Sequence, residues 1–254
     1  MKLRELVRLC NSMGQECINN GLCYYLDNDK IAVKAVDKDI TEAKIFEGTE
    51  IIGVSAFKDC MYLEDIDIPR GITRVEDSAF YNCFRLNELS LPDTVTGVGK
   101  LAFYNCYRLR FFEVPDAVQN LGTSAFEMCR AIEHIKLSSN LTVIPERAFC
   151  HCYSLRDISI PDGVIEIGKW AFYKCSSLHT LNLSKSLCTI DSKAFYNCSN
   201  LMNVSIPEGV TSIGDFAFSF NRKLSRVKVP KTVKHIGEHA FNYNKRLVRQ
   251  SFTD

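Results

Sequence analysis

No run of about 18 apolar residues occurs in the 254-residue chain, so nothing in it reads as a membrane-spanning helix and no membrane insertion is expected. Between Met1 and Gly14 the charged Lys2, Arg4, Glu5 and Arg8 interrupt the apolar residues. That denies the stretch the continuous apolar core of roughly 7–15 residues that a secretory signal needs. Net charge is only +1, so composition names no highly charged partner. Histidine is sparse. His134, His151, His179, His235 and His239 are scattered, and only the last two stand four apart, across Ile236-Gly237-Glu238, which reads as an extended segment and turn. No serine sits in a Gly-x-Ser-x-Gly elbow and no glycine-rich phosphate loop is present. Catalytic residues, metal and cofactor are therefore not expected, and the chain reads as a non-enzyme.

What the chain has in abundance is repetition. Ala-Phe recurs at Ala56-Phe57, Ala79-Phe80, Ala102-Phe103, Ala125-Phe126, Ala148-Phe149, Ala171-Phe172, Ala194-Phe195, Ala217-Phe218 and Ala240-Phe241, always 23 residues apart. A fixed period of this size is the mark of a solenoid. Within one unit, Ile66-x-Ile68 alternates with period two and reads as a short strand. Pro69 and its equivalents Pro92, Pro115, Pro161, Pro207 and Pro230 stop that strand, with Ser138 and Ser184 replacing proline in two repeats. A second extended piece follows, as in Val164-x-x-Ile167-Gly168. Ala79, Phe80, Cys83 and Leu86 then fall at i, i+1, i+4 and i+7, a spacing that predicts one short helical or 3₁₀ turn. No unit can bury its apolar face alone, so stacking must supply the core.

The pattern Cys/Asn-x-x-Leu-x-x-Ile-x-Ile-Pro-x-x-Val-x-x-Ile-Gly-x-x-Ala-Phe, running from about 45 to 252, resembles the BspA-like class of leucine-rich repeats. The resemblance implies a solenoid of parallel strands used mainly for binding proteins, often on microbial surfaces as an adhesin, and it carries over no catalytic residue. Ahead of the repeats, Leu3, Leu6, Val7, Cys10 and Met13 share one helical face with Gly14 as a stop. Cys23–Leu26 and Ile31–Val36 read as two strands about a turn. Residues 1–44 are thus expected to form an N-terminal cap of helix plus β-hairpin, and 45–254 a solenoid of about nine 23-residue repeats.

Seven of the twelve cysteines, Cys60, Cys83, Cys106, Cys129, Cys152, Cys175 and Cys198, share one slot of the repeat, which Asn221 and Asn244 fill in the last two units. Equivalent slots of stacked coils point in parallel, whereas zinc needs four converging ligands and a disulfide needs facing Cβ atoms. The slot therefore reads as small buried packing, the thiol filling space and the asparagine amide satisfying turn backbone. Free cysteines and the interrupted N-terminus point to a reducing, cytoplasmic setting, while the resemblance implies a cell surface.

Candidate binding residues are those that the repeat does not explain. Tyr81, Tyr104, Tyr173 and Tyr196 follow the repeated phenylalanine, Phe84, Tyr107 and Tyr153 follow the repeated cysteine, and together they predict aromatic rows along an edge. Phe111 is apolar at a variable strand position. Those positions run from Asp65, Asp67, Glu88 and Glu113 through His134 and Lys136 to neutral residues and finally Arg226 and Lys228. From Asn221 onward nine Lys or Arg face two acids, leaving residues 1–220 at −6. The expected partner is another protein, with an acidic partner or nucleic acid as the alternative along Arg222–Arg249.

Overall fold

The computed structural model describes residues 2–247. It opens with helix α1 (Leu3–Ser12), whose Glu5 carboxylate accepts the Lys2 N–H at 3.1 Å. Val7 is buried and Leu3, Leu6 and Cys10 pack on the core, but Met13 is 58% exposed and caps the C-terminus instead of extending the apolar face. Gly14, at φ 66°, then takes the left-handed turn that ends a helix at little cost to glycine. Strands β1 (Cys17–Asn19), β2 (Leu22–Asp27) and β3 (Lys30–Ala35) follow as an antiparallel meander. Asn28 and Asp29 both take positive φ in the two-residue turn between β2 and β3, as a primed hairpin turn requires. β3 also pairs in parallel with Ile51–Ile52, so the hairpin forms the first rung of the solenoid and covers its end.

Each coil then contributes to two parallel ladders. The three-residue ladder has rungs such as Asp65–Asp67, His134–Lys136 and Arg226–Lys228, with the middle residue inward and its neighbours outward. Its first rung, Glu42–Lys44, pairs with Asp65–Asp67. The two-residue ladder runs through Arg74–Val75, Gly97–Val98 and their equivalents. It breaks between Asn120–Leu121 and Val143–Ile144, and the cause is local. In neighbouring coils the N–H of Gly99, Gly122 or Gly168 donates to the carbonyl 24 residues back at 2.8 Å, but Pro145 fills that slot and has no N–H to give. The three-residue ladder is interrupted twice, at Glu88–Ser90 and again between Thr180–Asn182 and Asn203–Ser205.

The rest of the coil corrects one expectation. The segment carrying Ala-Phe is not a short helical or 3₁₀ turn: among the described residues the only helix is α1. Instead each coil has a run of tight turns in which two non-glycine residues are left-handed, such as Ser78 at φ 57° and Asn82 at φ 60°. The reason lies in where the amides point. Alternate N–H groups close turns within the coil, as Ala79 N–H to Glu76 O. The others reach the next coil, as Ser78 to Lys100 O at 2.8 Å, Phe80 to Ala102 O at 2.7 Å and Asn82 to Tyr104 O at 2.9 Å. A helix would turn all its donors inward along its own axis and leave the coils unjoined.

Beneath these turns the repeated phenylalanines form one stack from Phe57 to Phe241, with centroids 5.1–5.6 Å apart. The cysteine slot does more than fill space. Cys83 Sγ–H donates to Phe57 O at 3.1 Å, and Cys106, Cys129, Cys152, Cys175 and Cys198 repeat the bond to the phenylalanine 26 residues earlier. Asn221 and Asn244 make the same contact through Nδ2 and add a second bond to the phenylalanine of their own coil. Burial raises the thiols of Cys83, Cys106, Cys152, Cys175 and Cys198 well above the ordinary range, and that of Cys60 to about 11, which keeps them protonated and poor nucleophiles. Ser138 and Ser184, in the proline slot, are buried with hydroxyls donating to backbone carbonyls of the preceding coil at 2.6–3.1 Å.

Candidate binding surface

The outward side chains of the three-residue ladder form a continuous face, because period two sends each inner residue to the core and both neighbours to solvent. Successive coils place like slots side by side, so residues 23 apart become partners. Lys44 meets Asp67 at 3.1 Å, Glu113 meets Lys136 at 3.5 Å and His134 Nδ1 meets Asp157 at 2.8 Å. Phe111 stacks on the His134 ring, centroids 5.9 Å apart, and is still 56% exposed. Glu133, at the edge of this face, is held by Arg110 at 2.8 Å and Arg156 at 2.9 Å, and the Arg110 hydrogen bond lowers its carboxyl below the usual range. Asp157 belongs with these residues, yet its charge interrupts the simple acidic-to-basic gradient that the sequence suggests.

Two open hollows lie over the interrupted rung. One, of about 500 Å³, is walled by Phe111, Glu113, Asp116 and Lys136; the other, of about 480 Å³, by Asp65, Asp67, Arg70 and Glu88; Leu89, Ser90 and Asp93 line both. Asp116 accepts the Ser139 N–H, which lowers its carboxyl. Among the described residues no group of three or more His, Cys, Asp or Glu is placed to hold a metal ion.

Only Phe111, Arg226 and Lys228 of the expected binding residues lie on this face, at opposite parts of it. The aromatic rows lie on the turn segments. Tyr81 stacks on Tyr104 at 4.7 Å, Phe84 on Tyr107 at 5.0 Å and Tyr173 on Tyr196 at 5.1 Å, all of them half-buried. Glu127 and Cys150 interrupt the first row and are both buried; burial raises the Cys150 thiol to about 12. Tyr153 joins the second row through Arg130, whose guanidinium lies 4.9 Å from the Tyr107 ring and 5.7 Å from that of Tyr153. Of the basic stretch, Arg249 lies outside the described residues.

The spacing on which these rows depend is that of a known repeat. A model of the BspA type leucine rich repeat region, in six copies, matches residues 36–156 and 124–248. The chain belongs to the BspA type leucine-rich repeat family. Leucine-rich repeats of this type commonly form scaffolds that bind other proteins. The fold is similar to that of a leucine-rich repeat protein from Bacteroides ovatus, with a TM-score of 0.67 at 19% identity over 91% of this chain and 81% of that one. A T. pallidum leucine-rich repeat protein gives 0.58 at 21% identity, covering 83% and 91%. A leucine rich cell surface protein from Faecalibacterium prausnitzii gives 0.50 at 21%, covering 92% and 93%. No curated protein matches. The cytoplasmic setting expected above finds no support in these comparisons. No helix among the described residues is long and apolar enough to cross a membrane.

One row of this leucine-rich repeat surface escaped the sequence reading. The left-handed slot ahead of Ala-Phe holds Ser55, Ser78, Leu101 and Ser124 in the first four coils but Arg147, Trp170, Lys193, Phe216 and His239 in the five that follow. Cation and ring alternate: Arg147 lies 4.7 Å from the Trp170 ring, Lys193 5.5 Å from the Phe216 ring, and Phe216 and His239 are 5.0 Å apart. Aligning that slot coil by coil would have revealed it. The cations cover the ring faces, so the row joins coils to one another.

Proposed function

We propose that this leucine-rich repeat chain is a non-enzymatic protein-interaction module that presents its three-residue ladder to a partner protein, residues 1–44 serving as cap and 45–254 as the binding solenoid. One contrast supports the reading most. The inner ladder positions are apolar in coil after coil, whereas the outer ones change from Asp65 to Phe111 to His134 to Arg226. Selection for stacking alone asks only for solvated outer residues; an exposed Phe111 beside patterned charge is what a recognition surface needs. Tyr81, Phe84, Tyr104, Tyr107, Tyr153, Tyr173 and Tyr196 extend the candidate surface around the coil. Cross-linking in the native source followed by capture on the purified chain should recover a specific protein. Its capture should fall with Phe111→Ala and with Arg226→Ala/Lys228→Ala. A partner that binds every variant equally would place recognition elsewhere.

A second reading sets the module at the cell surface as an adhesin, as the description of the F. prausnitzii protein suggests. Labelling intact cells with a membrane-impermeant reagent tests it, and an unlabelled chain ends it. Binding of nucleic acid or an acidic partner along the basic coils predicts affinity that falls steeply with salt; salt-independent binding rejects it.

A further inference from the structure

The ladder break between Thr180–Asn182 and Asn203–Ser205 has neutral outer residues, whereas at Glu88–Ser90 unpaired backbone, an open hollow and charged side chains coincide. Asp65–Asp67 pairs only backward, with Glu42–Lys44, and Phe111–Glu113 only forward, with His134–Lys136. Between them, residues 87–91 make no backbone hydrogen bond to either neighbouring coil. Strand backbone left unpaired at a surface is the usual attachment point for an extended segment. The two hollows meet over this rung, and their charge is one-sided. Lys44 and Lys136 engage Asp67 and Glu113, but Asp65, Glu88 and Asp93 have no cationic partner among the described residues. Arg70 is the remaining cation of the lining and forms no ion pair there. Phe111 adds an exposed ring to the wall of the larger hollow.

We propose that these joined hollows are the docking site for an extended, basic polypeptide segment, with Lys or Arg side chains on Asp65, Glu88 and Asp93 and one apolar side chain on Phe111. The proposal rests on the protein-interaction reading and names the chemistry of its partner. A polypeptide fits better than a lone cation, because the unpaired groups include amides and carbonyls spaced along an extended backbone at about 3.3 Å per residue, and because the ring asks for an apolar contact. Charge complementarity also predicts fast, salt-sensitive association.

The test is selection of a random 12-residue peptide display library on the immobilised full chain, followed by fluorescence anisotropy with the enriched sequences as synthetic peptides. Enriched sequences should carry alternating Lys or Arg with one aromatic or aliphatic residue. Their affinity should fall about tenfold or more in Asp65→Asn/Glu88→Gln/Asp93→Asn and in Phe111→Ala. Glu88 belongs to the unpaired rung itself, so Asp93→Asn alone serves as the second variant and should weaken binding in the same direction. Acidic or uncharged winners, or peptides that bind these variants as tightly as the original chain, overturn the site while the interaction role stands. A library that yields no binder on any face overturns both. Concentration-dependent self-association that the triple variant abolishes would assign the hollows to the basic coils of a second copy and overturn the proposal as well.

Discussion

Phe149 and Phe111 are the same residue in two regions governed by different rules. Phe149 sits under the turn segment, fully buried, with Phe126 and Phe172 stacked on either side at 5.6 and 5.2 Å. Phe111 stands on the ladder face, 56% exposed, with only the His134 ring beside it. The first position is filled identically in nine coils; the equivalents of the second are Asp65, Glu88, His134, Asp157, Thr180, Asn203 and Arg226. In a stacked fold each coil is its neighbours' core, so a residue that packs between coils is repeated and one that faces away is free to differ. The repeated region accounts for the fold, and the variable region is where the proposed recognition of a partner would be encoded.

The largest effect expected from breaking this comparison is in the repeated region. Phe149→Ala removes a ring from the middle of the stack and should destabilise the chain by about 3–5 kcal/mol, the usual cost of truncating a buried phenylalanine. Urea denaturation measures it, and hydrogen exchange should show the amides of the flanking coils opening first. A loss under about 1 kcal/mol would mean that the stack is not the core.

A smaller effect, of opposite sign, sharpens the role of the turns. Asn82 Nδ2 donates to Asp59 Oδ1 and Asn105 Nδ2 to Asn82 Oδ1, both at 2.8 Å, but the amide ladder stops at Met128, which holds φ 67°. A left-handed conformation costs a typical L-residue about 1–2 kcal/mol and asparagine less. Met128→Asn relieves that strain and adds a rung on Asn105, at the loss of a half-buried apolar side chain. A net gain of about 1 kcal/mol is expected from thermal unfolding. A destabilised variant would show that Met128 packing outweighs backbone strain.

The interrupted two-residue ladder offers a third test. Pro145→Glu supplies the missing N–H and should let it donate to Leu121 O. The new bond contributes about 1 kcal/mol, and losing the stiffness that proline gives the unfolded chain offsets roughly half of it or more. Stability should therefore change by less than about 0.5 kcal/mol, while exchange at residues 120–121 and 143–145 slows. Unslowed exchange would trace the break to something other than the absent N–H.

The fold was legible because periodicity survives projection onto a string. The nine Ala-Phe pairs, the proline that ends each strand and the alternation at Ile66 and Ile68 dictate stacked coils with parallel ladders. The turn conformation was not, since Ala79, Phe80, Cys83 and Leu86 have helical spacing and only the direction of the amides toward the next coil decides against a helix. The thiol bond to the phenylalanine carbonyl was likewise hidden, because donor and acceptor lie 26 residues apart in different coils. On the candidate surface, Phe111 is legible as an apolar residue in a polar slot. The hollow beside it did not, because it arises from a missing rung, and the pairing of His134 with Asp157 appears only when coils are laid side by side.

The smallest expected change in stability is the most informative counterpart to Phe149. Phe111→Ala removes a ring of equal size from the ladder face, where it covers little apolar surface and leaves no enclosed cavity. Exposed substitutions of this kind stay within about 0.5 kcal/mol. Urea denaturation of the two alanine variants side by side should therefore separate them by at least about 2.5 kcal/mol. If Phe111→Ala instead destabilises the chain nearly as much as Phe149→Ala, the exposed ring is part of the packing, and its place in a polar slot no longer points to a partner. If it leaves stability untouched and removes peptide binding, the ring is retained at a cost in solubility that only recognition explains.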